Sequence, residues 1–267
     1  MPLILLSHLI NTPIVDKSGK KIATLKDFTV CLSSAGGKGQ SPQPHPHLSG
    51  LVAVTATQRW WVPLEQVQAF EEKVIELAIN ATELTAFERR EGEALLAEDI
   101  LDKALVDIPG RRLVRANDLV LSIVGKQPVI WLMAVDVSLQ ARLLRFIPFI
   151  FKKDGILALD DEMLDWSEVE YLATNAPQTR LDIQHEHLAG LSVAYLVPLL
   201  EELSYQQAVE VVEDLRPEVA ASVLENMRPD CARGILDQLK ASARAEILIK
   251  MNPLIAERLA GNPDQLF

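Results

Sequence analysis

Hydrophobic residues in the last third of the chain recur every twelve positions: Leu191, Leu203, Leu215, Met227, Leu239 and Met251. An internal repeat of this kind constrains architecture before any single residue does. Within residues 216–227, Val219, Ala220, Val223, Leu224 and Met227 fall on one helical face, with Glu218, Ser222 and Glu225 opposite. The next units give Cys231, Ala232, Ile235, Leu236 and Leu239, then Ala243, Ile247, Leu248 and Met251. Ala208, Ala220 and Ala232 repeat a small residue that lets helices approach closely. Pro217 suits a first helical turn, where its missing N–H is harmless, and it steers Arg216 out of the α region. Pro229 and Pro253 repeat that punctuation, and Ser192, Ser204 and Ser242 are candidate caps or early-turn residues. An isolated helix of about ten residues is marginal in water. Each unit is too short to bury its own apolar face, so neighbours must stack. The spacing therefore predicts a pile of short helices that folds as one unit, with Cys231 a buried structural thiol.

The first two thirds alternate apolar and polar residues and are duplicated. Val15-Asp16-Lys17-Ser18-Gly19-Lys20-Lys21-Ile22 matches Val106-Asp107-Ile108-Pro109-Gly110-Arg111-Arg112-Leu113, 91 residues further on. Lys26-Asp27-Phe28 then matches Asn117-Asp118-Leu119 at the same offset. A short apolar strand, an aspartate, a glycine three residues later and a returning strand read as a hairpin, with Asp16 and Asp107 as turn formers rather than ligands. Residues 51–55 and 129–135 read as buried strands. Trp60-Trp61-Val62-Pro63-Leu64-Glu65-Gln66-Val67 and Met163-Leu164-Asp165-Trp166-Ser167-Glu168-Val169 each read as a strand entering a helical turn. The start of the chain, MPLILLSHLI, lacks a basic leader and reads as a first strand. Short strands separated by turn signals predict small barrels.

These hairpins, with Asp27 or Asp118 and the closing 64–67 or 166–169 segments, resemble the PRC-barrel family over residues 3–80 and 93–172. The resemblance implies noncatalytic adaptor modules, a family setting that includes photosynthetic reaction centres and ribosome maturation.

Composition narrows the partners. Aspartate and glutamate total 37 against 26 lysines and arginines, a net charge of −11, which opposes a phosphate backbone and leaves nucleic acid a poor partner. Cations or basic protein patches suit the charge better. The hydrophobic fraction of 49% permits globular cores. Two cysteines, Cys31 and Cys231, form no CxxC pair and fit a reducing, cytoplasmic setting. No apolar run approaches the roughly 18–20 residues of a spanning helix, so the expected placement is cytoplasmic or peripheral at the inner membrane face. The loop SSAGGKGQSPQPHPH carries GGKG, but Lys38 is followed by Gly39, so the phosphate-loop pattern fails and a solvent-exposed flexible loop is expected, with His45 and His47 in it. Residues 142–153 place Phe146, Phe149 and Phe151 between basic residues, a composition suited to a partner groove, a membrane surface or the interior of the second barrel.

In the helical part, Leu199-Leu-Glu-Glu-Leu203, Val212-Glu-Asp-Leu-Arg-Pro217, Leu224-Glu-Asn-Met-Arg-Pro229 and Met251-Asn-Pro253 resemble the cytoplasmic N-terminal domain of MgtE-type magnesium transporters. That resemblance covers about residues 185–262 and implies a superhelix of short helices associated with magnesium sensing. In the family this domain precedes a CBS pair and a membrane pore, neither of which is in this sequence, so transport by these residues alone is not expected. Glu201, Glu213, Glu225 and Asp237 share one repeat position and form an expected ridge. Packed helices stand about 8–10 Å apart, too far for ridge carboxylates to share one magnesium at about 2.1 Å. The adjacent pairs Glu201-Glu202 and Glu213-Asp214 are the candidate metal ligands at an interface, and the ridge with Phe146, Phe149 and Phe151 is the candidate partner surface. His185-Glu186-His187 opens the region as a capping segment, since histidines at i and i+2 do not share a helix face.

The expected fold class is multidomain β plus α: two small PRC-type barrels, 1–88 and 89–173, a linker at 174–184, and an all-α superhelix at 185–267. No nucleophile, base and orienting residue form a recognisable catalytic set. The expected role is a non-enzymatic cytoplasmic interaction or regulatory protein, responsive to magnesium. The alternatives are a soluble accessory of a magnesium transport system, acting on a membrane transporter, and an RNA-processing or ribosome-maturation adaptor.

Overall fold

The computed structural model describes residues 3–32, 45–71, 73–90, 92–125, 128–138, 162–171, 188 and 190–260. The chain divides into two compact units, one formed by Met1–Leu105 with Val114–Ile183, the other by Val106–Leu113 with Gln184–Phe267. It is thus β-rich in its N-terminal part and helical in its C-terminal part.

The strands are β1 Leu3–Leu5, β2 Pro13–Val15, β3 Lys21–Cys31, β4 Leu48–Val54, β5 Arg59–Pro63, β6 Val67–Phe70, β7 Ile75–Leu77 and β8 Thr85–Ala86. The second repeat contributes β9 Glu93–Leu95, β10 Ala104–Asp107, β11 Arg112–Arg115, β12 Asp118–Val124, β13 Val129–Asp136, β14 Met163–Asp165 and β15 Val169–Tyr171. One sheet runs β6-β7-β2-β3-β4-β5-β8, with β9 added on β3; another runs β1-β12-β13-β14; a third runs β11-β10-β15. The long β3 carries alternating burial at its start and becomes continuously buried from Asp27 to Val30, where strands flank it on both sides.

The duplication is present in geometry as well as in sequence. Asp16 Oδ1 accepts from Ser18 N at 2.9 Å and Lys20 N at 3.1 Å, and Asp107 Oδ1 accepts from Gly110 N at 2.7 Å. Both aspartates are turn formers, as the hairpin spacing predicts. Asn11 and Asp102, 91 positions apart, both hold positive φ, 72° and 66°. Their N–H groups donate to Leu25 and Ala116, again an equivalent pair. In each copy a strand enters a single helical turn at the expected place, Leu64–Gln66 after β5 and Trp166–Glu168 after β14.

The first strand of each repeat lies in the sheet of the other. β1 pairs antiparallel with β12, Leu3 opposite Ser122 and Leu5 opposite Val120. Its counterpart β9 pairs with β3, Glu93 opposite Cys31 and Leu95 opposite Thr29. Each exchanged strand runs into one tight turn: α1, Leu6–Leu9, in the first copy and Leu96–Ile100 in the second. The first closes with Ile10 N–H on the Leu6 carbonyl, the second with Leu101 N–H on the Leu96 carbonyl. The second is one residue longer, a π-type turn that absorbs a single-residue insertion. A single buried cluster contains Leu6, Leu9, Phe28 and Leu51 together with Leu96, Ile100, Leu119 and Leu132.

The helical unit contains α2 Val193–Glu202, α3 Tyr205–Asp214, α4 Pro217–Asn226, α5 Pro229–Gln238, α6 Ala241–Lys250 and α7 Pro253–Ala260. The twelve-residue period resolves into ten helical residues plus two extended ones. In α3 to α4, for example, the link is Leu215 at φ −73°, ψ 149° and Arg216 at φ −59°, ψ 140°. The periodic residues Leu203, Leu215, Met227, Leu239 and Met251 each terminate a helix, and the last four are buried. Each helix packs mainly on the helix two places along, α2 on α4, α3 on α5, α4 on α6 and α5 on α7. Ala208, Ala220 and Ala232 are at most 1% exposed, so the repeated small residue lies on the buried face of each helix. Cys231, expected to be buried, is half-buried instead, because the stacked face is centred on Ala232, Ile235 and Leu236.

Candidate interaction surface of the helical repeat

A ten-residue helix leaves its first N–H groups without intrahelical partners, and in α4 to α6 no N-cap side chain satisfies them. Arg228 caps α5 and Lys240 caps α6 with extended backbone and no cap bond of their own. At α5, α6 and α7 an acceptor comes from three helices earlier. Glu201 Oε1 accepts from Arg228 N–H at 2.6 Å, and Glu213 Oε1 from Lys240 N–H at 3.2 Å. Glu225 Oε1 takes the N–H of Asn252, which precedes α7. The same offset of 27 residues applies each time.

Two of the rungs also carry charge pairs. Arg228 Nε lies 3.3 Å from Glu201 Oε2, and Lys240 Nζ lies 2.6 Å from Glu213 Oε2. The carboxylates are about one-fifth exposed while their cationic partners are more than half exposed. The ladder thus combines a half-sheltered anion with a backbone dipole, a geometry stronger than an exposed ion pair alone. Asp237 holds the same repeat position and pairs with Arg244 at 3.5 Å. A further cross-helix pair joins Lys250 Nζ to Glu218 Oε1 at 2.9 Å, which holds the Glu218 carboxyl below its ordinary value and the Lys250 ammonium above its own.

Three of the four residues at the expected ridge position, Glu201, Glu213 and Glu225, thus accept bonds from their own chain. Glu202 and Asp214, the neighbours proposed as interface ligands, are exposed at the ends of α2 and α3. Among the described residues, no group of three or more His, Cys, Asp or Glu side chains is placed to hold a metal ion. Phe146, Phe149 and Phe151, with the rest of 142–153, lie outside the described residues, as do the GGKG loop, the expected linker, His185 and His187. His45 and His47 are described, and the free loop expected around them is replaced by contacts with the second repeat. His45 Nε2 lies 3.0 Å from Asp165 Oδ1, Pro46 accepts from Leu132 N–H at 3.0 Å, and His47 bridges to Trp131. Partial burial works to raise the Asp165 carboxyl, but hydrogen bonds from the Ser167 hydroxyl and N–H, together with His45, hold it below its ordinary value.

The ladder lies inside the segment that a known family describes. Residues 179–260 match the model of the MgtE intracellular N domain. The match covers the helical unit from α2 to α7 and none of the β-rich part. Neither the curated proteins nor the solved structures contain a match to the chain. The stack of short helices expected for an MgtE N-type segment is present, each helix packing mainly on its second neighbour. Among the described residues, no helix is long and apolar enough to cross a membrane.

The capping role of Glu201, Glu213 and Glu225 is hidden in the sequence because an acid on the polar side of an amphipathic helix reads as solvated surface. A signal is nevertheless present. Each acid stands two residues before a periodic apolar residue and 27 before the residue that opens a later helix.

Proposed function

We propose that this protein is a non-enzymatic interaction and regulatory protein whose MgtE N-type helical segment makes a magnesium-responsive contact with a partner. The observation that carries the proposal is the match of residues 179–260 to the MgtE intracellular N domain. The partner that fits best is a membrane transporter of magnesium, to which this chain would act as an accessory. The β-rich part is assigned two PRC-type modules with an adaptor role, on the strength of the duplicated hairpins and of Asp27 and Asp118. The expected setting is cytoplasmic, at the inner face of the membrane.

The described residues do not form a magnesium cage by themselves. Three of the ridge carboxylates already serve as caps. The cation contact in this proposal therefore uses Glu202, exposed at the end of α2, with the remaining ligands from the partner and from water, as magnesium prefers. The net charge of −11 supports a partner surface that is basic or cation-bridged.

The test is affinity capture with the full chain from a membrane extract, in magnesium and in chelator, repeated with the variant Glu202→Gln. A transport protein retained in magnesium, released by chelator and lost in the variant is the expected result. The same set of partners under all four conditions refutes the proposal.

A further inference from the structure

Two buried aspartates at equivalent positions of the repeats each reach across into the other repeat. Asp27, in β3 of the first copy, is 3% exposed. Its Oδ1 accepts from Phe28 N–H at 2.7 Å and from Ala97 N–H at 2.8 Å, and its Oδ2 from Glu98 N–H at 3.0 Å. Ala97 and Glu98 belong to the turn that follows the exchanged strand β9. Asp118, in β12 of the second copy, is fully buried, and its Oδ1 accepts from Leu119 N–H at 2.8 Å and Ser7 N–H at 3.1 Å. Ser7 belongs to α1, the turn that follows the exchanged strand β1.

The chemistry explains why an acid stands at both places. A one-turn helix has no length over which to bury its first N–H groups in its own ladder. Inside a core those donors need acceptors, because an unpaired buried amide costs about 1–3 kcal/mol. A side chain from the host sheet supplies them, so the turn is completed only when the foreign strand is in place.

We propose that Asp27 and Asp118 form a reciprocal clasp that locks each repeat's first strand into the other repeat, so that the two repeats open and close as one conformational unit. The shared buried cluster supports the same coupling, since Leu6 and Leu96 stand at the starts of the two capped turns and are both fully buried within it. The consequence is that a contact made on one repeat is felt by the other. This inference is independent of the function proposed for the helical segment.

The test is native-state hydrogen exchange on the full chain, read by mass spectrometry over a series of low urea concentrations. In the wild type, the amides of β4 and of β13 are expected to converge on one common opening reaction. Asp27→Ala is expected to speed exchange in β4 and β13 by the same factor, about tenfold or more from the lost charge-assisted caps, and Asp118→Ala to do likewise. Separate convergence of β4 and β13 in the wild type overturns the proposal even if neither variant folds. So does a variant whose effect stays within its own repeat.

Discussion

Glu213→Ala separates a structural ladder from a solvated acidic face. Glu213 accepts the Lys240 N–H at 3.2 Å and pairs with its ammonium at 2.6 Å. Loss of a helix cap costs about 0.5–2 kcal/mol. The ion pair, with Lys240 more than half exposed, adds only about 0.2–1 kcal/mol. Alanine returns a few tenths of a kcal/mol, roughly, through helix propensity. The expected net loss is about 0.5–2.5 kcal/mol. At a mid-range loss of about 1.5 kcal/mol and a urea slope of roughly 2 kcal/mol per molar, the midpoint of the helical transition falls by about 0.7 M. Glu213→Gln keeps an acceptor oxygen for the Lys240 N–H and should lose only about 0.5 kcal/mol. Glu202→Ala, at the exposed end of α2, should stay within about 0.5 kcal/mol of the wild type. The assay is urea unfolding followed by circular dichroism at the helical band. Equal effects of Glu202→Ala and Glu213→Ala, or no effect of either, would refute the capping argument.

Two further outcomes follow from other parts of the fold. Burial pushes the Asp27 carboxyl up to about 6, against the N–H groups of Ala97, Phe28 and Glu98 and with the help of nearby Asp99. Asp99 and Glu98 are themselves paired with Arg89, and Glu98 also with Arg59. Because the folded value lies above the ordinary 3.8, the native state holds the extra proton. Its stabilisation is full below about pH 4 and lost as pH rises through about 6, on the order of 3 kcal/mol at most; Asp27→Asn should flatten that part of a stability-against-pH curve measured by urea titration. Gly234 lies against Tyr205, and a Cβ there would fall 2.9 Å from the ring Cζ, so Gly234→Ala should give no stabilisation in the wild type but about 0.8–1 kcal/mol in a Tyr205→Ala background. A double-mutant cycle that shows the two changes to be additive would remove the assigned contact.

Local features are legible in the sequence and long-range ones are hidden. The twelve-residue period, the prolines at 217, 229 and 253 and the Ser204 cap all act within one turn, and all are found where the spacing predicts them. Ser204 forms a reciprocal box with Gln207, whereas Ser242 is an early-turn residue behind Lys240. The hairpins at Asp16 and Asp107 are equally readable, since the aspartate, the glycine and the return strand lie within a few residues of one another. What pairs with β1 is not readable. Leu3, Ile4 and Leu5 form a short apolar run that fits the edge of either sheet, and their partners are more than a hundred residues away. Second-neighbour stacking is hidden for a similar reason. The apolar face of a short helix states that it must be covered but does not name the helix that covers it.

The density of capping devices in the helical unit follows from helix length. A helix of ten residues has four N–H groups at one end and four carbonyls at the other without internal partners, so its ends outweigh its middle. The described bonds supply the N-terminal groups one by one. At α5 the Arg228 N–H goes to Glu201, and Pro229 has no N–H to satisfy. At α7 the Asn252 N–H goes to Glu225, Pro253 again has none, and the Leu254 N–H goes to the Asn252 side chain. At α3 the Ser204–Gln207 box takes two donors without help from another helix. Where the link lacks both a polar cap and a proline, as at Lys240, the ladder carboxylate is the device that remains. Glu201, Glu213 and Glu225 are thus explained by the shortness of the helices they serve, before any partner or cation is considered. The carboxylate on which the proposed cation contact is tested is therefore one outside the ladder, Glu202, exposed at the end of α2.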